Sequence, residues 1–144
     1  MLINRHNCVQ CCIKHLASAA VIAREIRNGY NTPEYRFYFI GNLNEAQEQI
    51  SGIDPKLSRL IRTLRLKSAP AGLDAEIADS TIRLLERIAQ ALDFRQKHGV
   101  YAGNPDETVR KYAGKRCRCS DRAIDILIPL RSDGSRNGNL ELKL

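Results

Sequence analysis

Two pairs of acidic residues are the part of this sequence best suited to chemistry. Glu45 and Glu48 are separated by two residues, and so are Glu76 and Asp79. Within a helix this i, i+3 spacing places both carboxylates of a pair on one face. Four carboxylates from two facing helices can hold Mg²⁺, a hard cation that prefers oxygen ligands. The alternative for each pair is a solvated helix face whose acids form salt bridges with neighbouring Lys or Arg.

Basic residues outnumber acidic ones, and the net charge is +7. Residues 54–70 carry five Lys or Arg against one Asp, and residues 100–122 carry six against three acids. Such a field attracts an anion, either a nucleoside triphosphate or nucleic acid. The chain has no Trp, and its aromatic residues do not alternate with basic ones, so a stacking platform for single strands is not indicated. Charge alone does not choose between these two partners, and we do not favour nucleic acid.

The five cysteines allow two interpretations. They fall into an early cluster and a late one, comprising Cys8, Cys11, Cys12, Cys117 and Cys119. An odd count without a secretion signal argues against a disulfide framework. On a helix the early three and His15 share an arc of about 100°, so a structural Zn²⁺ site completed by the late pair is one interpretation. The late Cys-x-Cys spacing departs from the usual zinc pattern, which favours buried free cysteines instead.

Helical periodicity dominates residues 8–97. It predicts a helix from about Cys8 to Arg27, a second from Pro33 that ends at Gly52, a third from Lys56 to Lys67 and a fourth from about Leu73 to Lys97. Asn7 and Thr32 are the expected N-caps of the first two helices, and Gly29 is the expected C′ residue of the first.

The last segment changes character, because residues 123–130 and 139–144 alternate like strands around a turn-rich loop. We therefore predict an all-α fold, a bundle of about four helices over residues 1–122, with a small C-terminal β-hairpin over residues 123–144.

The segment around the second acidic pair carries a family resemblance. Residues 69–94, APAGLDAEIADSTIRLLERIAQALDF, resemble the second motif segment of the MazG-type all-α nucleoside triphosphate pyrophosphohydrolases. Residues 40–50, IGNLNEAQEQI, resemble the first motif segment of that family, and residues 109–116, VRKYAGKR, resemble its basic ending. The resemblance covers roughly residues 30–116.

The resemblance implies Mg²⁺-dependent hydrolysis of a (d)NTP to a (d)NMP and pyrophosphate, with Mn²⁺ able to substitute. It implies metal ligands at both acidic pairs, namely Glu45, Glu48, Glu76 and Asp79. Glu45 and Glu48 are also the candidate catalytic residues, one of them as general base for the attacking water. The triphosphate would be bound by Lys97, Arg110 and Lys115. The sequence departs from the family at Asn42, where the first glutamate of the pattern is expected.

A second resemblance covers the N-terminal half, where CVQCCIKHLASAA over residues 8–20 is similar to the start of short phage and prophage proteins of uncharacterised activity. It implies a phage origin and an alternative function, a non-catalytic helical protein that binds an anionic nucleotide or nucleic acid. No apolar run approaches the ~20 residues of a membrane span, and residues 1–7 lack a signal-peptide pattern. We expect a cytoplasmic homo-oligomer, in the host cytoplasm if it is phage-encoded, without a membrane partner.

Overall fold

A computed structural model describes residues 8–67, 77–97 and 105–114. All regular structure in these ranges is helical, which confirms the all-α class for this part of the chain. The helices are α1 (Val9–Arg27), α2 (Pro33–Ile50), α3 (Pro55–Lys67), α4 (Asp79–Lys97) and α5 (Pro105–Tyr112). The hairpin predicted over residues 123–144 lies outside the described residues.

Helix α1 begins and ends with short-range caps. Cys8 is the N-cap, and its Sγ accepts a hydrogen bond from the Cys11 backbone N–H at 3.4 Å. The predicted cap, Asn7, lies outside the described residues. At the other end Gly29 has a φ of 122°, a backbone conformation that favours glycine, so its predicted role just beyond the helix is confirmed.

Helix α2 starts as its sequence predicts and runs antiparallel to α1. Thr32 Oγ1 accepts from the Tyr35 backbone N–H at 3.2 Å, and Pro33 occupies the first turn, where its missing N–H costs nothing. Two contacts show the antiparallel direction. Gln49 Oε1, near the end of α2, accepts from the Cys8 backbone N–H at the start of α1. Further along α1, His15 Nδ1 hydrogen bonds to Oδ1 of Asn42, which lies earlier on α2.

Helix α4 also runs antiparallel to α1, and it starts later than the sequence predicts. The expected start was Leu73, but Ile77 and Ala78 are not helical, and the helix begins at Asp79. The early part of α4 contacts the end of α1, because Arg27 Nη1 donates to the Ile77 carbonyl at 3.2 Å. An ion pair between Arg24 and Glu86 joins the same two helices.

The core forms around α1, which is buried on nearly all sides. Helices α2, α4 and α5 pack against it, while α3 packs mainly on α2 and buries only three residues. The core side chains with no exposed surface include Ile13, Leu16, Ile22, Phe39, Leu43, Ile50, Ile61 and Leu85. Two hydrogen bonds hold α5 and the residues after it in place: Tyr112 Oη donates to Asp93 Oδ1 at 2.9 Å, and the Gly114 N–H donates to Ser18 Oγ at 3.1 Å.

None of the helices in the described ranges is both long and apolar enough to span a bilayer.

The central position of α1 predicts a large stability difference between two leucines. Leu16 is fully buried and Leu66 is 57% exposed. We expect Leu16→Ala to lower the free energy of unfolding by about 2–5 kcal/mol, because it leaves a cavity in the core. Leu66→Ala, the matched control, should change it by less than about 0.5 kcal/mol. Urea denaturation followed by circular dichroism measures both values, and equal losses would contradict the placement of α1.

Candidate functional site

Glu45 and Glu48 lie on the C-terminal half of α2, and both are partly exposed. Their position along the bundle follows from the next residue on that helix, since Gln49 contacts Cys8 at the start of α1. The first acidic pair therefore sits beside the first two turns of α1. Its carboxylates are accessible to an ion from solvent.

Asp79 lies at the other end of α1, beside the last turn, because the neighbouring Ile77 contacts Arg27. Counting helical residues along α1 at 1.5 Å each places Asp79 about 20 Å along the bundle from Glu45 and Glu48. The Asp79 side chain is 46% exposed, and its Oδ2 accepts from Arg83 Nη2 at 2.7 Å in an i, i+4 pair. Glu76 lies outside the described residues.

The described structure thus does not bring the first acidic pair together with Asp79. In the three described ranges no three His, Cys, Asp or Glu side chains are grouped so that they could hold a metal ion. Ile77 and Ala78, which precede Asp79, are not helical. The apolar periodicity of α4 therefore extends upstream of Asp79, the residue at which the backbone becomes helical.

Asn42 occupies the position where the family pattern has its first glutamate, and it faces the core. It has no exposed surface, and its side chain hydrogen bonds within α2 and to α1. Asn42 Nδ2 donates to the Tyr38 carbonyl at 2.8 Å, so Oδ1 is turned toward His15 Nδ1, also at 2.8 Å. An amide oxygen that accepts from a buried imidazole is not free to ligate a metal ion.

The hydrogen bond from His15 offsets the free-energy cost of burying the polar side chain of Asn42. Because Asn42 Oδ1 is the acceptor, His15 Nδ1 carries the proton, and Nε2 is buried without a hydrogen-bond partner among the described residues. Burial lowers the pKa of His15 below its usual 6.5, and the hydrogen bond to Asn42 opposes that shift only in part. His15 is therefore a neutral core residue.

The early cysteines do not form a zinc site among themselves. Cys8 caps α1, and Cys12 is fully buried, which raises the pKa of its thiol far above the usual value and keeps it protonated. Cys11 is in a disulfide, contrary to the expectation from the odd cysteine count. A disulfide sulfur is not a thiolate ligand, so Cys11 is removed from the candidate zinc set. Cys117 and Cys119 lie outside the described residues.

The predicted triphosphate-binding residues have separate environments. Lys97 Nζ lies 3.2 Å from Asp93 Oδ2, a buried carboxylate that also accepts from Tyr112. Arg110 is exposed on α5, and Lys115 lies outside the described residues. Lys97 ends α4 and so lies toward the start of α1, at the same end of the bundle as Glu45 and Glu48. The charge of Lys97 is already partly balanced within the protein.

A group of unpaired cations on α3 is better placed to meet a ligand. We call Lys56, Arg59, Arg62 and Lys67 the basic face; they fall within an arc of about 140° around α3 at 100° per residue. All four are exposed, and none pairs with a carboxylate in the described part of the chain. On α4 the exposed Arg87 shares this property. The sequence reveals the charges of these residues but not their lack of partners, which depends on tertiary contacts.

The buried imidazole of His15 predicts a pH-dependent stability. The unfolded chain titrates His15 near 6.5 while the folded chain keeps it neutral, so unfolding takes up a proton below that pH. The free energy of unfolding should therefore decrease as the pH falls below about 6.5, by up to about 1.4 kcal/mol per pH unit from this residue.

The matched variant is His15→Gln, whose amide can still donate to Asn42 Oδ1 but does not titrate. Urea denaturation of both proteins between about pH 7.5 and pH 5 isolates the contribution of His15, because the other two histidines are common to both. The stability of the wild type relative to the variant should fall with pH. A constant difference would mean that His15 is not buried in its neutral form.

Comparison of this chain with protein-family models, with curated proteins and with solved structures gives no match. Its function therefore has to be inferred from its own residues and geometry.

Proposed function

We propose that this chain is a non-catalytic helical protein that binds a polyanion, a nucleotide or nucleic acid, through the basic face of α3. The observation that carries the proposal is that the four cations of this face are exposed and unpaired within the described structure. Cations that neutralise the phosphates of a nucleic acid release the counterions condensed on it, which favours binding at low salt.

The distribution of acids supports the same conclusion. Glu86 and Asp93 are buried and pair with Arg24 and Lys97, and Asp79 pairs with Arg83. These acids are used inside the bundle or within their own helix, so they do not neutralise α3. Helix α3 itself contains five Lys or Arg and no Asp or Glu. A surface of one sign attracts ligands of the opposite sign over a distance of about 8–10 Å at moderate salt.

The second candidate is the Mg²⁺-dependent (d)NTP pyrophosphohydrolase. It is supported by the sequence of residues 69–94 and by the partial exposure of Glu45, Glu48 and Asp79. Within one chain the first pair and Asp79 are too far apart to share an ion. This candidate therefore requires that one acidic pair alone binds the ion or that two chains of a homo-oligomer share it. In either case Lys97, Arg110 and Lys115 would contact the triphosphate.

The binding proposal predicts a local effect of charge. We expect a fluorescein-labelled single-stranded oligonucleotide and a fluorescent nucleoside triphosphate to bind more weakly as salt rises from about 50 to about 200 mM. The double variant Arg59→Gln/Arg62→Gln should lower the affinity and reduce the slope of log K against log salt for the oligonucleotide by about 1.4, or 0.7 for each lost contact. Fluorescence anisotropy titrations measure both quantities.

The control is Arg83→Gln/Lys111→Gln, which removes two positive charges from other helices. It should bind as the wild type does. If the two double variants lose affinity equally, only net charge matters and the basic face is not the site. Absence of salt-dependent binding in the wild type would also refute the proposal.

The hydrolase candidate predicts chemistry that the binding proposal does not. If it is correct, the wild type releases pyrophosphate from at least one nucleotide of a dNTP/NTP panel, and only with Mg²⁺ or Mn²⁺ present. Glu76→Gln and Asp79→Asn should each abolish this release without changing the circular dichroism spectrum, because each removes one ligand charge from the ion. A wild type that is inactive on the whole panel excludes this candidate.

A further inference from the structure

A cleft opens between the start of α3 and the C-terminal half of α4. Its volume is about 180 Å³. The floor consists of the aliphatic side chains of Leu57, Ile88, Ala91 and Leu92. Arg87 and Arg95 line its rim on the α4 side, and Asp54 lines it at the start of α3.

The small side chain of Ala91, between Arg87 and Arg95, leaves room for the cleft. Arg87, Ala91 and Arg95 follow each other at i, i+4 and i+8, so they lie in one row along α4. The two arginine Cα atoms are therefore about 12 Å apart along the helix axis, with only a methyl group between them. This arrangement leaves an open apolar floor with a positive charge at each end.

The rim is only partly neutralised from within the chain. Arg95 Nη1 lies 3.4 Å from Asp54 Oδ2, in a pair whose arginine side chain is 67% exposed. Asp54 is also the cap of α3, since its Oδ1 accepts from the Leu57 backbone N–H at 3.1 Å. The Arg87 side chain has no partner among the described residues, and Lys56 adds a further exposed cation nearby on α3.

Apolar surface continues from the cleft along both helices. Leu60, one turn after Leu57 on α3, is 39% exposed. Leu84, one turn before Ile88 on α4, is partly buried against the core. Helix α3 packs on α2 and makes few contacts with α4, so in the described structure this strip is not covered by a neighbouring helix. Exposed apolar surface bordered by charge is typical of protein interaction sites.

We propose that this cleft is the docking site for an acidic segment of a partner protein. One aliphatic or aromatic side chain of the segment packs on Ala91 between Leu57 and Leu92. Carboxylates on either side of that residue pair with Arg87 and Arg95, to which carboxylates bind in a bidentate geometry. This function is separate from polyanion binding on the basic face, since it uses α4 and an apolar floor.

The chemistry of the floor favours a peptide over a nucleotide. A base is recognised by hydrogen bonds to its edges or by stacking on an aromatic ring. The floor residues have neither a polar side-chain atom nor an aromatic ring, so they provide no means of recognising a base. Aliphatic packing flanked by charge pairs is the way in which a groove recognises an amphipathic peptide.

The probe for a direct test is a fluorescein-labelled acidic peptide of about twelve residues, in which Leu recurs at every third or fourth position between Glu residues. The key variant is Ala91→Phe, which fills the cleft without changing the charge. Ala91 is exposed, so the larger side chain is not forced into the core. Ala78→Phe, at an exposed position before α4, is the matched control.

We expect Ala91→Phe and Arg87→Gln each to weaken binding of the peptide by about tenfold, the loss of roughly one anchoring contact. Ala78→Phe should leave it unchanged. A peptide with Ala in place of Leu should bind more weakly, since it cannot fill the floor. Oligonucleotide binding should persist in Ala91→Phe, which distinguishes this site from the basic face. If Ala91→Phe does not fold, as judged by circular dichroism, Arg87→Gln and the Leu-to-Ala peptide still decide the outcome.

Three results would overturn the proposal. The first is peptide affinity that is unaffected by both Ala91→Phe and Arg87→Gln. The second is equal affinity for the peptides with and without Leu, which would indicate attraction by charge alone. The third is loss of oligonucleotide binding in Ala91→Phe, which would assign the cleft to nucleic acid instead. Failure of the basic face in its own test leaves the first two measurements, which use only the peptides, interpretable.

Discussion

Burial of α1 on nearly all sides is the constraint on which the rest of this structure depends. A helix that is apolar around most of its circumference must be covered by several partners. Here α2, α4 and α5 pack against it. The polar groups that α1 takes into the core need partners as well, and they obtain them from the same helices: Asn42 hydrogen bonds to His15, and the Gly114 N–H to Ser18. Packing around α1 therefore determines both the order of the helices and the orientation of Asn42.

The same arrangement decides what the acidic residues can do. Since α2 and α4 are both antiparallel to α1, they run parallel to each other. The position of each acid along the bundle is therefore set by its place on its own helix. Glu45 lies beside the beginning of α1 and Asp79 beside its end. Glu86 and Asp93 are drawn inside as partners of Arg24 and Lys97. Asp79 pairs with Arg83 on its own helix, and the basic face of α3 has none of these three acids as a partner. This asymmetry turns a modest net charge into a one-signed surface with an adjoining apolar cleft.

Much of the fold was predictable from local sequence signals. Thr32 and Pro33 start α2, Gly29 follows the end of α1, and apolar periodicity identifies four of the helices, because capping and amphipathicity depend on neighbours in the chain. The start of α4 was not predictable in this way. Its apolar period continues into residues that are not helical, since periodicity records which residues are compatible with a helix and not where the backbone adopts one. The separation of Glu45 and Glu48 from Asp79 was not predictable for a related reason: i, i+3 spacing describes one helix and carries no information about how two helices are aligned.

The sequence by itself determined the helical class, the basic composition of α3 and the small residue at position 91 between two arginines. These are properties of a residue and its neighbours within about two turns. Only the tertiary structure decided that Asn42 faces His15 and not an ion, that Asp79 lies at the far end of the bundle from Glu45, and that Arg59 and Arg87 have no acidic partner in the described structure. Each of these depends on which helices meet and at which level. The burial of α1 as a whole determines which helices meet and at which level. No single sequence motif encodes that burial.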